Sequence, residues 1–174
     1  MLTDISQHVL DIGINSIKSG AKNISVNICC KSDSTELKVK DDGCGFDEQA
    51  LKRIKSSLQK PISGNSHNGL KSLYKSCEGH IDITSSNGTG ATVSAVFSKE
   101  FPLGNIKETV KCLFTLCGGR DINLIFSAEN EEISFSFDSK KIREIIKTKG
   151  IQINSIYKFL DGYITDIVSR VFPK

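Results

Sequence analysis

Apolar side chains recur in two rhythms along the first hundred residues. In some stretches they return every three or four residues, which predicts helices, and in others they strictly alternate with polar residues, which predicts strands. The turn sequence NGTG separates the last two alternating stretches and predicts a hairpin. The predicted elements are, in order, helix 3–19, strands 23–30 and 36–40, helices 47–58 and 70–77, and strands 80–85 and 91–97.

The first helix has recognisable start and stop signals. Thr3 or Asp4 can cap its N-terminus, and Gly20 is placed to end it. One helical face is expected to be buried, and it carries Ile5, Val9, Ile12 and Ser16.

A second, smaller region follows a break at Pro102 and Gly104. It contains a helix at 105–116, strands at 121–128 and 133–137, and two further helices. The fold class predicted for residues 1–98 is an α/β two-layer sandwich, whose mixed or antiparallel sheet is covered by helices on one face. Residues 102–174 are predicted to form a small C-terminal α/β extension, giving two domains.

Composition argues against several classes of function without identifying one. A net charge of +3 and a pI near 8.5 are too mild to indicate nucleic-acid or membrane binding. No apolar stretch is long enough to span a bilayer, and the N-terminus lacks a signal-peptide pattern, so the chain is expected to be cytoplasmic. The six cysteines lack the paired spacing of a zinc site and are expected to be reduced.

Two segments carry candidate chemistry. Asn15 and Lys18 lie three residues apart on the first helix, so they share a face and can serve a metal-bound phosphate chain. Asp41 ends a predicted strand beside Gly43 and Gly45, where its carboxylate can accept a hydrogen bond from a buried amine. Together these residues predict a pocket for a nucleotide. The polar, glycine-bearing stretch at 59–68 is a candidate lid for it.

With both segments and the GTG turn at 88–90 in this order, residues 1–98 resemble the histidine-kinase-like ATPase superfamily, also called the GHKL or Bergerat fold. The resemblance implies that ATP or ADP binds with Mg²⁺. It implies that Asn15 ligates Mg²⁺ and that Lys18 neutralises phosphate. Asp41 would read the exocyclic amine of adenine, while Gly43 and Gly45 would let the base approach the backbone.

Asp11 occupies the position at which hydrolysing members of this superfamily carry a glutamate base. It is therefore the candidate catalytic residue, for slow ATP hydrolysis or for phosphoryl transfer to a partner serine. Residues 11–21 and 102–109 also resemble small stand-alone ATP-binding proteins of anaerobic bacteria, which would extend the likeness over nearly the whole chain.

Two departures from the superfamily pattern weaken the nucleotide site. The second glycine box reads GNSHNGL, and either Gly64 or Gly69 can be matched to the motif without completing it. Ala91 stands where threonine usually helps to hold adenine, and one lost hydrogen bond costs about 1 kcal/mol. Thr92, the next residue, carries a hydroxyl that could contact the nucleotide instead. Alternation along the strand, however, predicts that Thr92 points to the sheet face opposite Ala91.

The residues that favour a nucleotide site and the departures that weaken it leave two functions open. The first is a cytoplasmic ATP- or ADP-binding regulatory module that acts on a protein partner. The alternative is a pseudo-ATPase, an interaction module that keeps the fold and no longer binds nucleotide. Because no sensor, dimerisation or receiver segment is recognisable, a self-contained sensor kinase is not expected.

Overall fold

Helices and strands follow one another in the order that the hydrophobic pattern predicts. The computed structural model describes residues 4–60, 69–149 and 153–172. The helices are α1 (Ile5–Lys18), α2 (Glu48–Leu58), α3 (Gly69–Ser76), α4 (Ile106–Gly118), α5 (Ser139–Lys149) and α6 (Ile153–Val171). The strands are β1 (Asn23–Cys30), β2 (Ser34–Asp41), β3 (Ile81–Ser86), β4 (Gly90–Ser98), β5 (Asn123–Glu129) and β6 (Ser134–Asp138). Most of the predicted lid, from residue 61 onwards, lies outside the described residues.

The described strands form a mixed six-stranded sheet in the order β3-β4-β2-β1-β5-β6. Strand β1 is antiparallel to β2 and parallel to β5, and the remaining neighbours are antiparallel. The pairing of β1 with β5 joins the C-terminal extension to the same sheet as the first hundred residues. The division into domains 1–98 and 102–174 stays a prediction.

Helix α1 begins and ends where its signals indicate. Asp4 is the N-cap, and its carboxylate accepts a 2.9 Å hydrogen bond from the backbone N–H of Gln7. Gly20 follows the helix with φ of +80°, a conformation that favours glycine. The face predicted to be buried is buried, and it carries Ile5, Val9, Ile12 and Ser16.

The two faces of the sheet differ in polarity. On one face the strands present apolar side chains such as Val26, Val39 and Phe126, each 1% exposed, to a core shared with the helices. On the other face the side chains are mainly polar. One row across that face, from β3 to β6, consists of Asp82, Ser94, Lys38, Asn27, Ser127 and Ser136. The predicted α/β sandwich, with helices covering one face of a mixed sheet, is therefore confirmed.

Candidate nucleotide site

Asp41 ends β2 on the face of the sheet that the helices cover. The strand register pairs it with Ile24, which is buried in the core. One carboxylate oxygen, Oδ2, accepts a 2.7 Å hydrogen bond from the Ser16 hydroxyl of α1. The other, Oδ1, accepts a 2.9 Å bond from the backbone N–H of Gly43. Two donors hold the carboxylate in one orientation, and its other lone pairs can still accept an amine.

The neighbouring Asp42 has a structural task. Its Oδ1 accepts hydrogen bonds from the backbone N–H groups of Lys22, at 2.7 Å, and Asn23, at 2.8 Å. Partial burial alone would raise the pKa of Asp42, but the bonds from the Asn23 side chain and from these backbone groups lower it. Asp42 thereby ties the end of β2 to the start of β1, whereas Asp41 faces the helices.

The glycine turn, residues 43–46, is clamped between α1 and the β3–β4 hairpin. Cys44 donates its backbone N–H to the Ser19 carbonyl at 3.0 Å and accepts from the N–H of Gly88 at 2.7 Å. Gly45 has φ of +64°, and a Cβ there would lie 2.2 Å from the Ser86 carbonyl oxygen. No other residue fits this position without moving the hairpin. The Cys44 side chain is exposed, beside the turn.

Gly43 is equally confined. A Cβ at this buried glycine would lie 1.9 Å from the Ser19 hydroxyl oxygen at the end of α1. The Ser19 hydroxyl itself donates to the Ser16 carbonyl at 2.8 Å. The last turn of α1 therefore packs directly against the backbone of the glycine turn.

Ser85 completes the clamp from the hairpin side. Its hydroxyl accepts a 2.8 Å hydrogen bond from the backbone N–H of Phe46 and donates a 2.7 Å bond to the Gly90 carbonyl. Both bonds are internal to the protein, so Ser85 fixes the glycine turn to the hairpin.

The strand register separates Ala91 from Thr92. Thr92 is paired with Lys40 on one side and with Thr84 on the other, so it shares the polar face with them. Asp41, the next residue after Lys40, points to the opposite face. The Thr92 side chain therefore points away from the face of Asp41, although both residues line one shallow cavity at this end of the sheet. Ala91 is on the face of Asp41 but has no hydroxyl.

Asp11, Asn15 and Lys18 lie along α1, on the helical side of the sheet. The Asn15 amide nitrogen donates to Asp11 Oδ2 at 3.4 Å. Burial raises the pKa of the Asp11 carboxyl, while the nearby positive charge of Lys18 acts in the opposite direction. The side chains of Asn15 and Lys18 are exposed, so both can reach a ligand that lies over this end of the helix.

Gly69 brings the start of α3 against Asp11. A Cβ at Gly69 would lie 1.7 Å from Asp11 Oδ2, so any side chain there would collide with the carboxylate. The backbone N–H groups that begin a helix attract anions. Of the two glycine registers left open by the sequence, the structure brings Gly69 to the candidate catalytic residue, and Gly64 lies outside the described residues.

Further along α3, polar side chains continue to face α1. His8 Nε2 and the Ser76 hydroxyl are 3.0 Å apart and share a hydrogen bond. His8 is 1% exposed and stacks on Phe97 and Phe101, with ring centroids 6.0 and 6.3 Å away. Burial lowers the pKa of His8 to about 4, against a smaller opposing effect of Asp4.

The described residues suit magnesium better than a transition metal. They contain no group of three or more histidine, cysteine, aspartate or glutamate side chains that could hold a metal ion, and their six cysteines are free. Magnesium prefers oxygen ligands and keeps several waters, so one amide oxygen beside phosphates suffices. The exposed Asn15 side chain fits that requirement, because its hydrogen bond to Asp11 uses the amide nitrogen.

Sequence reasoning missed Ser16 and Ser85 as parts of this site. Ser16 was recognised only as a member of the buried face of α1, and a hydroxyl among buried apolar positions was the available signal. Ser85 carries no comparable signal, because its bonds join segments far apart in the sequence.

Within residues 4–60, 69–149 and 153–172, no helix is both long and apolar enough to cross a bilayer.

Two solved structures resemble this chain. One is a crystal structure of the N-terminal domain of a DNA repair protein, with 17% identity and a TM-score of 0.46, and the match covers 78% of this chain and 52% of that one. The other is the Aquifex aeolicus MutL ATPase domain complexed with ADP, with 10% identity and a TM-score of 0.48, covering 78% and 64%. The chain thus spans less than two thirds of the length of either.

No curated protein matches the sequence. The family model for histidine kinase-, DNA gyrase B-, and HSP90-like ATPases matches residues 2–101, which include Asp11, Asn15, Asp41 and the glycine turn. This match spans more than half of the 174 residues. The chain therefore belongs to the family of histidine kinase-, DNA gyrase B-, and HSP90-like ATPases.

Proposed function

We propose that this chain binds ATP or ADP and acts as a regulatory module on a protein partner in the cytoplasm. The observation that carries the proposal is the held carboxylate of Asp41, which accepts from Ser16 and Gly43 and keeps lone pairs for another donor. The exocyclic amine of adenine is such a donor. The absence of side chains at Gly43 and Gly45 lets the turn after Asp41 pack against Ser19 and the Ser86 carbonyl, which fixes the backbone beside that carboxylate.

The phosphates would extend from Asp41 along α1 towards the start of α3. In this arrangement Asn15 would hold Mg²⁺, and Lys18 would neutralise phosphate charge. When bound, Mg²⁺ supplies charge neutralisation between phosphate oxygens. The first backbone N–H groups of α3, beginning at Gly69, provide a further anion-binding end.

Asp11 is the residue on which turnover would depend. It lies beside Asn15 and Gly69, and burial moves its pKa upwards, towards the range useful for a general base near neutral pH. Such a base would assist slow hydrolysis of ATP or phosphoryl transfer to a partner serine. Because the second glycine box is incomplete, we assign the module a signalling role and treat turnover as secondary.

One observation favours the alternative, a pseudo-ATPase that acts only by interaction. The strand register leaves Ala91 on the face of Asp41 and turns the Thr92 hydroxyl away from it. The adenine edge would therefore lose one hydrogen bond, which costs about 1 kcal/mol, or roughly a fivefold to tenfold loss of affinity. That loss weakens binding and is too small by itself to abolish it.

Thermal unfolding in the presence of nucleotides tests the proposal. A ligand at a hundred times its dissociation constant stabilises the fold by about 2.7 kcal/mol, a shift of about 5 to 10 °C for a chain of this size. We expect Mg·ATP or Mg·ADP to produce such a shift in the wild-type chain. We expect Asp41→Asn to lose it, because an amide nitrogen would replace one acceptor oxygen.

Asp42→Asn is the matched control for this experiment. It should lower the unfolding midpoint, because Asp42 accepts the backbone N–H groups of Lys22 and Asn23, but it should keep the nucleotide-dependent shift. A wild-type chain that shows no shift at millimolar nucleotide supports the pseudo-ATPase. An Asp41→Asn variant with an undiminished shift rules out Asp41 as the residue that reads the base.

A further inference from the structure

The interface between α1 and α3 carries a polar seam, formed by His8 and Asp11 on α1 and by Gly69, Ser72 and Ser76 on α3. The α3 members are three and four residues apart, so they share one helical face. At one end of the seam Gly69 contacts Asp11, and at the other end Ser76 bonds His8. Ser72 therefore lies between these two contacts, on the face turned towards α1.

Two atoms of this seam have no hydrogen-bond partner. They are Nδ1 of His8 and the hydroxyl oxygen of Ser72, the only such buried side-chain atoms in the described part of the chain. His8 is 1% exposed and Ser72 is 9% exposed. Buried polar atoms are almost always paired in folded proteins, and the exceptions concentrate where a structure has a functional reason to bear the cost.

The direction of the Ser72 side chain indicates its missing partner. Side chains on a helix tilt towards the N-terminus, so the Ser72 hydroxyl projects back towards the level of Gly69. That is where the Asp11 carboxylate lies, with Oδ2 only 1.7 Å from the position of a Cβ on Gly69. Ser72 follows Gly69 by about one turn on the same face of α3, and its hydroxyl has no hydrogen-bond partner in this structure.

The arrival of phosphates would change this arrangement. A phosphate drawn to the first N–H groups of α3 would occupy the end of the helix against which the Asp11 carboxylate now lies. Two anions at one short distance repel each other, and Asp11 then needs a donor elsewhere. Of the two unpaired groups in the seam, the Ser72 hydroxyl lies one turn from Gly69, whereas His8 lies at the other end.

We propose that Ser72 is a positioning residue for Asp11, and that their hydrogen bond forms when α3 shifts along α1 as nucleotide phosphates bind. The inference rests on the proposed function, because it needs a nucleotide whose phosphates reach α3. It adds Ser72 to the site, together with a movement of α3 that couples phosphate binding to the position of α3 along α1.

Ser72→Ala and Ser76→Ala form a matched pair on the same helix. Without nucleotide, Ser72→Ala should raise the unfolding midpoint by about 2 to 4 °C, because it removes a buried hydroxyl that has no partner. Ser76→Ala should lower the midpoint, because it removes the partner of His8. A lower midpoint for Ser72→Ala would show that its hydroxyl is already paired and would overturn the inference.

Calorimetric titration with Mg·ATP and with adenosine then separates positioning from a structural role. Ser72→Ala should bind Mg·ATP about fivefold more weakly than wild type, since one hydrogen bond is lost, and should bind adenosine equally well. Unchanged affinity for Mg·ATP, or an equal loss for adenosine, overturns the inference alone. Absence of Mg·ATP binding by the wild-type chain overturns the proposed function, and the inference with it.

Discussion

The two ends of the candidate site are built differently. At the base end, around Asp41, completed hydrogen bonds hold the carboxylate and the glycine turn, and the two glycines pack closely against Ser19 and the hairpin backbone. In the polar seam that runs from Asp11 at the phosphate end to His8, the structure leaves the hydroxyl of Ser72 and Nδ1 of His8 without partners. The same helix, α1, contributes to both ends.

The difference lies in what each end can do when a ligand arrives. The Asp41 carboxylate is held by two donors and keeps free lone pairs, so the base end is preorganised and binding there costs little ordering. A phosphate end with unpaired groups can gain bonds by moving, which makes it the end that converts occupancy into a change of shape.

The largest effect should come from breaking the rigidity of the base end. Gly45→Ala places a methyl group 2.2 Å from the Ser86 carbonyl oxygen, at φ of +64°. Left-handed backbone strain and overpacking together should cost about 3 to 4 kcal/mol of unfolding free energy. Denaturant unfolding measures it directly.

Gly88→Ala is the control for this substitution. Gly88 has a similar φ of +77°, but a Cβ there would meet nothing within 4 Å. It should lose only the strain component, about 1 kcal/mol. Equal losses for the two variants would contradict the view that the hairpin clamps the glycine turn.

A smaller effect should appear in the polar seam between α1 and α3 as the pH falls. The pKa of His8 is about 4 in the folded chain and near 6.5 when unfolded, so the unfolded state binds more protons between these values. Stability should therefore decrease as the pH falls from 6.5 to 4, by about 2 to 3 kcal/mol from this group. The measurement is the free energy of unfolding as a function of pH.

His8→Phe serves as the comparison, because phenylalanine can keep the stacking on Phe97 and Phe101 without titrating. Its stability should lose less on acidification across the same window. If both proteins lose the same amount, His8 is not buried in its neutral form, and the contrast between the two ends disappears.

The smallest effect should come from a substitution that tightens nucleotide binding at the base end. Ala91→Thr restores a hydroxyl on the face of Asp41 and should tighten ATP binding roughly fivefold to tenfold, which corresponds to about 1 kcal/mol. Thr92→Ala should leave the affinity unchanged, because the register turns Thr92 to the polar face with Lys40. Titration of both variants with Mg·ATP gives the ratio. The reverse result would place the nucleotide against the other side of the sheet.

Much of the fold could be predicted because its signals are local. Alternation of apolar and polar residues predicts a strand at 23–30, and β1 spans Asn23–Cys30. Asp4 was one of two predicted caps, and it is the N-cap at the start of α1. The row of buried residues on α1 was also predicted, since helical periodicity follows from geometry along a single segment. The placement of β5 beside β1 was not predicted, because the residue pattern of a strand does not specify which other strand it pairs with.

The candidate site likewise has features that are visible in local sequence and features that depend on contacts between distant segments. The sequence alone determined which residues could carry the chemistry, namely Asp11, Asn15, Lys18 and Asp41, because charge, amide groups and glycine turns are visible in the residues themselves. It also determined the face of Thr92, since alternation along a strand has a fixed period.

Only the tertiary structure decided which groups are bonded and which are not. Ser16 meets Asp41 across 25 positions of sequence, and Gly69 meets Asp11 through the packing of two helices. Hydrogen bonds depend on a few tenths of an ångström between segments that sequence patterns do not relate. For that reason the unpaired hydroxyl of Ser72 could be found only after α3 had been placed against α1.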